Sequence, residues 1–355
     1  MSTRPDLAAG FAPVPGYLNA ATLGLPLRAT TAAVRAALDD WERGRFDMAA
    51  ADAAVVRSRE AYARLVGVPP GWVAAGPQVS VLVGLLAAAL PDGAEVVLPE
   101  GDFTSVVFPF LVHADRGVTV RQVPLESLAE SVTPGTTLVA FSAVQSADGR
   151  LADTAAVLAA ARAAGALTLA DFTQAAGWLP VDAGEYDLTV CGTYKWLCSP
   201  RGTALLTVRP DLADRVRPLF AGWYAGDPIW ENVYGPGMTL AADARRFDVS
   251  PAWHAWLGTA PALEAFADAD RAQVHRHAVG LADGLRQRLG LEPTCSAVVA
   301  LPDPAGELRA ALEAGGLTVA GRAGRVRLSF HVWNEADDME RAAHAIEPSL
   351  STVRR

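Results

Sequence analysis

Lys195 is the only lysine in this chain of 355 residues; every other permanently charged basic side chain is arginine. On a solvated surface the two are nearly interchangeable, because each holds a charge on a flexible stem. They differ in one chemical respect. A guanidinium does not give up its proton in a protein, whereas burial or a neighbouring cation can lower the pKa of an ammonium until the free amine is available. That amine forms imines with carbonyl compounds. A composition that has replaced lysine wherever arginine serves, yet keeps one, marks Lys195 for work that arginine cannot do. The plain alternative is chance survival at a core or surface position.

Three short apolar runs surround it. Residues 166–170 end on Asp171, residues 188–191 end in Gly192-Thr193-Tyr194-Lys195, and residues 203–208 are entered through Pro200-Arg201-Gly202. Each is too short for a helix and is bounded by turn residues, which predicts strands buried on both faces. In open α/β sheets, ligands bind beyond the carboxyl ends of the strands. Asp171 and Lys195 would both stand there. An amine and a carboxylate at such a place suit pyridoxal 5'-phosphate (PLP). The lysine holds its aldehyde as an imine, and the aspartate keeps its pyridine nitrogen protonated so that the ring withdraws electrons.

Asp171-Phe-Thr-Gln174, Gly192-Thr-Tyr-Lys195-Trp-Leu and Pro200-Arg-Gly202 together resemble the class V aminotransferase family of fold-type I PLP enzymes. That family includes cysteine desulfurases, kynureninases and C–S lyases. The resemblance covers nearly the whole chain. It implies an α/β fold, with a large, mostly parallel sheet domain that binds PLP and a smaller α+β C-terminal domain. It implies that Gln174 bonds the phenolic oxygen of the cofactor, that Phe103 covers its ring, and that Gln145 places an amide beside it. Tyr194 stands where desulfurases have His and kynureninases have Tyr, and is expected at the phosphate. Gln78, Val79 and Ser80 match the phosphate cup. The family usually has threonine at the place of Val79, so backbone amides and Ser80 would make that contact. The segment Ala244-Arg-Arg-Phe-Asp-Val-Ser250-Pro251 resembles one that relatives lend across a dimer interface, which puts Ser250 near a neighbouring phosphate and implies a homodimer with shared sites. Arg327, in an R-x-S element followed by Asn334, matches the clamp for a substrate carboxylate. Asn19 and Ala20, in Tyr17-Leu-Asn-Ala, match a backbone motif close to it.

The residues also have readings of their own. The joint Gly76-Pro77-Gln78 leads from an apolar strand into an apolar helix, whose free N–H groups and positive dipole end suit a phosphate. Such joints are common in α/β proteins. Phe103 could equally be a core residue beside Phe108 and Phe110, and Asn19-Ala20 a plain loop. A guanidinium fork gives two parallel hydrogen bonds to a carboxylate, but Arg325 and Arg327 share a strand face, so alternation does not separate them. The aromatic stretch 219–239 suits an interface or a lid, or simply packs within the chain.

Strand patterns at 72–75, 94–98, 117–123 and 137–142 precede the central stretch, with helical patterns at 29–43, 50–65, from 79 onward, and at 154–164. This alternation predicts an α/β sheet. Residues 253–289 read as mostly helical, and 297–346 as strand, helix, strand, strand, helix. The expected units are 1–28, joining the small domain; 29–252, the large PLP-binding domain; and 253–355, the small domain.

A net charge of −9 with no basic stripe argues against nucleic acid and anionic membrane as partners. The opening segment has no apolar signal-peptide core, and no run approaches a membrane span. Three cysteines form no framework, and the six histidines show no ligand spacing for a metal. The expectation is a cytoplasmic enzyme without a metal. It would act on a small amino acid or amine as an aminotransferase or Cβ/C–S lyase, with a kynureninase-like hydrolase or a cysteine desulfurase as alternatives. The interval 314–326, where a desulfurase carries its mobile cysteine, has none. A non-catalytic nucleotide-binding protein would need G-x-G-x-x-G after its first strand, and Gly76-Pro-Gln-Val-Ser is not that.

Overall fold

The computed structural model describes residues 4–349; the first three residues of the N-terminal arm and the last six of the C-terminal segment lie outside the described residues. In chain order the larger part holds α1 (Arg28–Glu42), α2 (Met48–Val66), β1 (Val73–Gly76), α3 (Val79–Ala89), β2 (Glu95–Pro99), α4 (Thr104–Leu111) and β3 (Thr119–Val123). It continues with β4 (Thr136–Ser142), α5 (Thr154–Ala164), β5 (Leu167–Asp171), β6 (Leu188–Gly192), β7 (Ala204–Val208) and α6 (Trp253–Asp268). The strands form one sheet in the order β1-β7-β6-β5-β4-β2-β3. β2 to β6 run parallel, and β7 is antiparallel to both of its neighbours.

Successive strand residues point to opposite faces, and both faces are covered. Ala75, Val139, Phe141, Ala170 and Leu205 join one apolar cluster, while Ala74, Leu138, Ala140, Leu169 and Leu206 join the other. This two-sided burial is why the central strands read as continuous apolar runs. The edge strand β3 is only half-buried.

The remainder is α7 (Arg271–Arg288), β8 (Val298–Pro302), α8 (Glu307–Ala314), β9 (Ala320–Arg322), β10 (Arg325–Ser329) and α9 (Ala336–Ile346). Its antiparallel sheet has the order β8-β10-β9. The N-terminal segment lies along it. Leu18 donates to Thr318 O at 2.9 Å and accepts from Ser329 N at 2.8 Å, with its side chain in the local core. Asn334 fixes the segment by donating to Tyr17 O at 3.0 Å and to the Asp338 carboxylate at 3.0 Å.

Three elements differ from expectation. α4 is absent from the sequence reading because Thr-Ser-Val-Val-Phe-Pro-Phe-Leu combines β-branched residues with an internal proline, both poor for helices. Burial of Val106, Val107 and Phe110 overrides that propensity. The helical span 253–289 is two helices, because the Asp270 carboxylate accepts from Gln273 N at 3.0 Å and starts a new one. The strand between α8 and β10, which the pattern of the sequence puts at 317–320, is β9 at Ala320–Arg322, since Thr318 pairs with the N-terminal segment instead.

Candidate active site

Asp171 ends β5, and Lys195 follows three residues after the end of the adjacent parallel β6. The lysine loop is held from several sides. Thr193 Oγ1 and Thr203 Oγ1 share a hydrogen at 2.6 Å across its neck. Gly24 N donates to Tyr194 O at 3.0 Å, and a Cβ on Gly24 would lie 2.0 Å from Lys195 O, so only glycine lets the N-terminal segment approach this closely. Val332 N donates to His331 Nδ1 at 2.7 Å, which leaves the ring proton on Nε2 to donate to Trp196 O at 2.8 Å. Burial draws the His331 pKa down to about 4, so this ring is a neutral structural pin.

Lys195 is 5% exposed. Burial lowers its pKa to about 8; Asp171 opposes the shift, while Arg327 and Arg322 assist it. Asp171 moves the other way, raised to about 6 by burial, against a hydrogen bond from Thr173 N at 2.7 Å and the charge of Lys195. Two groups that both prefer to be neutral when dry thus sit at one sheet edge. Lys195 Nζ lies 4.9 Å from the ring centre of Phe103 and 5.7 Å from that of Tyr194. Phe103 is 42% exposed, so it is a wall of the cleft; Phe110 is the core residue of the three.

The cleft, about 160 Å³, is lined by Gln78, Val79 and Ser80 at one end and by Asp171, Thr173 and Lys195 at the other. Gln78 makes no side-chain cap on α3, so the first-turn amides at Val79 and Ser80 carry free donors toward the cleft. An anion site, a shielding ring, a low-pKa amine and a buried carboxylate fit the phosphate, ring, aldehyde and pyridine nitrogen of PLP.

Arg327 lies beyond this end on β10 and is 2% exposed, whereas Arg325 is exposed, which separates the two arginines. Its terminal nitrogens donate to Ser146 O and to Thr22 Oγ1, the latter at 2.9 Å. Its Nε is buried with no partner among the described residues, and so is Asn19 Oδ1. Asn19 bridges to Ser329, two residues along the strand from Arg327, and Ala20 is fully buried. A buried donor without a partner is costly unless a ligand takes it.

The structure gives two amides different partners from those expected. Gln174 donates to Ala21 O and Ser146 Oγ, both at 3.0 Å, and accepts from Trp196 Nε1 at 2.7 Å. Its two N–H groups are engaged, leaving none for a phenolic oxygen. Gln145 turns from the cleft to Ser142 O, 3.2 Å away, and toward Asp102 at 3.4 Å. In each case the buried amide satisfies itself on backbone and neighbouring side chains. Ser250 is exposed and does not line this chain's own cleft. Its segment is anchored by Asp248, which pairs with Arg59 at 2.5 Å and accepts from Ala75 N at 2.7 Å.

Further residues shape the site without a role that the sequence assigns them. Thr173 donates to Asp171 through its backbone and accepts from Gly192 N at 2.8 Å. Arg201 lines the cleft and lies 4.9 Å from the Tyr194 ring. Asp102 accepts from Phe103 N at 2.6 Å and Ser142 N at 2.8 Å, fixing the loop that carries the aromatic wall. Thr173 and Arg201 lie inside Asp171-Phe-Thr-Gln174 and Pro200-Arg-Gly202; Thr22 and Ser146 are small hydroxyls beside Asn19 and Gln145, with no spacing signal.

A family model, Aminotransferase class-V, matches residues 43–313. An uncharacterized aminotransferase of Bacillus subtilis, YcbU, is 28% identical over 313 residues, covering 82% of this chain and 81% of that one. The kynureninase of Deinococcus radiodurans is 30% identical over 291 residues, covering 75% of this chain and 69% of its own. The solved complex of the cystine C–S lyase C-DES with cysteine persulfide superposes with a TM-score of 0.83 at 20% identity, over 93% of this chain and 96% of that one, a likeness of fold. The matched span takes in both the lysine loop and the cleft, and the chain belongs to the class V aminotransferase family of PLP-dependent enzymes.

Proposed function

We propose that this aminotransferase or Cβ/C–S lyase acts on an α-amino acid, with Arg327 holding the carboxylate and Lys195 moving the proton at Cα. The observation that carries the reading is the buried Lys195 amine in the cleft, 4.9 Å from the Phe103 ring, with buried Asp171 at the end of the strand beside β6; burial draws their pKa values toward each other, to about 8 and about 6. Strongly perturbed groups paired in a cleft mark functional sites. When bound, PLP supplies an electron sink for the bonding pair at the substrate carbon. The free backbone amides at the start of α3 would hold its phosphate by N–H donation, Phe103 would cover its ring, and ionised Asp171 would hold the ring N–H. The unpartnered Nε edge of Arg327 receives the α-carboxylate, which fixes the orientation of Cα toward Lys195. Lys195 then takes a proton as the neutral amine and returns it as the ammonium.

The finer assignments are part of the same proposal. Free cysteines and the absence of a basic stripe suit a cytoplasmic enzyme with a small-molecule substrate and no nucleic acid. Exposed Leu219, Phe220, Trp230, Tyr234 and Met238, together with exposed Ser250, suit a homodimer with shared sites. The proposed small domain is 1–28 with 253–355, in which α6 is the link that packs on α1 and α2 of the larger part. Product analysis with a panel of amino acids tests the reading: keto acid points to transamination, pyruvate with ammonia to elimination, and no turnover of any amino acid overturns it.

Arg327→Lys should weaken amino-acid binding by roughly 10–100-fold, the worth of a charged hydrogen bond of about 1.5–3 kcal/mol. Amines without a carboxylate should bind as before. Equal losses for both, measured by titrating the cofactor absorbance, would reduce Arg327 to a structural residue.

No cysteine takes part in this scheme. Cys191 and Cys198 are buried, with burial raising both thiol pKa values, and exposed Cys295 lies outside the cleft lining. Alanine or serine at all three positions should leave turnover within a few-fold in folded protein. A persulfide on any one of them, seen by mass spectrometry, would move the protein to the desulfurases.

A further inference from the structure

The small sheet presents three arginines on one face. Arg325 and Arg327 alternate along β10, and Arg322 of β9 stands directly opposite Arg325. Like charges directly opposite on a sheet destabilise it. Arg322 and Arg327 are also brought together on one oxygen, because Thr22 Oγ1 lies 2.9 Å from Arg327 Nη2 and 3.4 Å from Arg322 Nη2. The remaining contact of Arg322 is with Gly321 O at 2.7 Å. Neither arginine meets a carboxylate within ion-pair distance among the described residues, in a chain whose net charge is −9. Most arginines of the larger folded surface do find one, as Arg150, Arg209 and Arg245 each do twice.

The arrangement therefore holds more cationic capacity than one carboxylate uses. Arg327, buried, has its free Nε for a single anionic group. Arg322, exposed and meeting Arg327 at Thr22 Oγ1, has donors shared only with a backbone carbonyl and that hydroxyl. Its charge reaches the site, since it helps to lower the pKa of both Lys195 and Arg327. We infer that the substrate is an acidic α-amino acid, with Arg322 holding the anionic group of its side chain while Arg327 holds the α-carboxylate. The inference rests on the α-amino-acid reading above and adds the substrate class. A substrate with two carboxylates would neutralise both guanidiniums and remove their mutual repulsion. A neutral side chain would leave Arg322 without an ion partner beside a second cation.

The test is an absorbance titration of PLP-loaded protein with aspartate, glutamate, asparagine and glutamine. Aspartate or glutamate should bind at least tenfold more tightly than its own amide. Arg322→Gln should raise the Kd of the acid about tenfold or more, so that acid and amide bind alike, and Arg322→Lys should restore part of the preference. Arg325→Gln, on the exposed neighbour, should keep the preference. The inference is overturned if wild-type protein binds acid and amide equally, if Arg322→Gln weakens both alike, or if Arg325→Gln has the same effect as Arg322→Gln, which would be diffuse attraction. In those cases the α-amino-acid reading still stands. If no amino acid changes the spectrum, that reading falls and the inference with it.

Discussion

Replacing Lys195 by alanine or arginine is expected to abolish turnover. Loss of a positioned general base alone costs about 10²–10⁴-fold, and loss of the covalent hold on the cofactor adds to it. Arginine is the sharper variant, because it keeps the charge and much of the volume while removing the only side-chain amine that can form an imine. Borohydride treatment of wild-type holoprotein should fix a pyridoxyl group on the Lys195 peptide; neither variant should be labelled. The pH dependence follows from burial. With a pKa near 8 the amine is mostly an ammonium at neutral pH, so capture of PLP by apoprotein should quicken as pH rises toward 8 and level above it. A label on another residue, or a variant within tenfold of wild-type activity, would remove Lys195 from the mechanism.

Asp171→Asn should leave the shape of the cleft and much of the affinity for PLP, while turnover falls by roughly 10²–10³-fold, the usual cost of deleting one preorganised electrostatic group. The amide oxygen can still accept from Thr173 N, but it has no charge to hold a proton on the ring nitrogen. The apoprotein should show an opposite effect on stability. The folded-state pKa of Asp171 is raised from 3.8 to about 6, so ionisation disfavours the folded state as pH rises between those values, and fully so above 6. Asparagine removes that penalty, so apo Asp171→Asn should unfold at the same temperature as wild type or higher at pH 8. Activity near wild type would mean that another group protonates the ring. A cofactor-free, unfolded variant would mean that the carboxylate is structural.

The central sheet and the lysine end of the site were legible because they obey local rules. Residues 166–170, 188–191 and 203–208 are continuous apolar runs, and the groups at their ends fall where strand direction places them. The phosphate end was legible as a strand–turn–helix joint. Other parts depend on contacts that no local pattern encodes. α4 forms against its own propensity because Val106, Val107 and Phe110 have a core to enter. Gln174 and Gln145 carry recognisable motif positions, yet the partners of a buried amide are chosen by tertiary neighbours such as Trp196 and Asp102. Arg325 and Arg327 could not be told apart by alternation, since their difference is in burial at one end of a strand. Thr22 became a site residue only once the N-terminal segment was laid along the small sheet.

That last arrangement bears on how the protein is made. Residues 17–19 find their partners at Thr318 and Ser329, and Gly24 seals against Tyr194 and Lys195. The ribosome therefore releases one wall of the site roughly 300 residues before the strand that holds it. At about 5–20 residues per second, that is a wait of roughly 15–60 s. Over roughly its last third, once the chain has passed Val208, the large sheet can already be assembled around Asp171 and Lys195, with the low-pKa amine open to any aldehyde in reach. The nascent chain thus has an interval in which the lysine end of the site can form before the substrate end is closed.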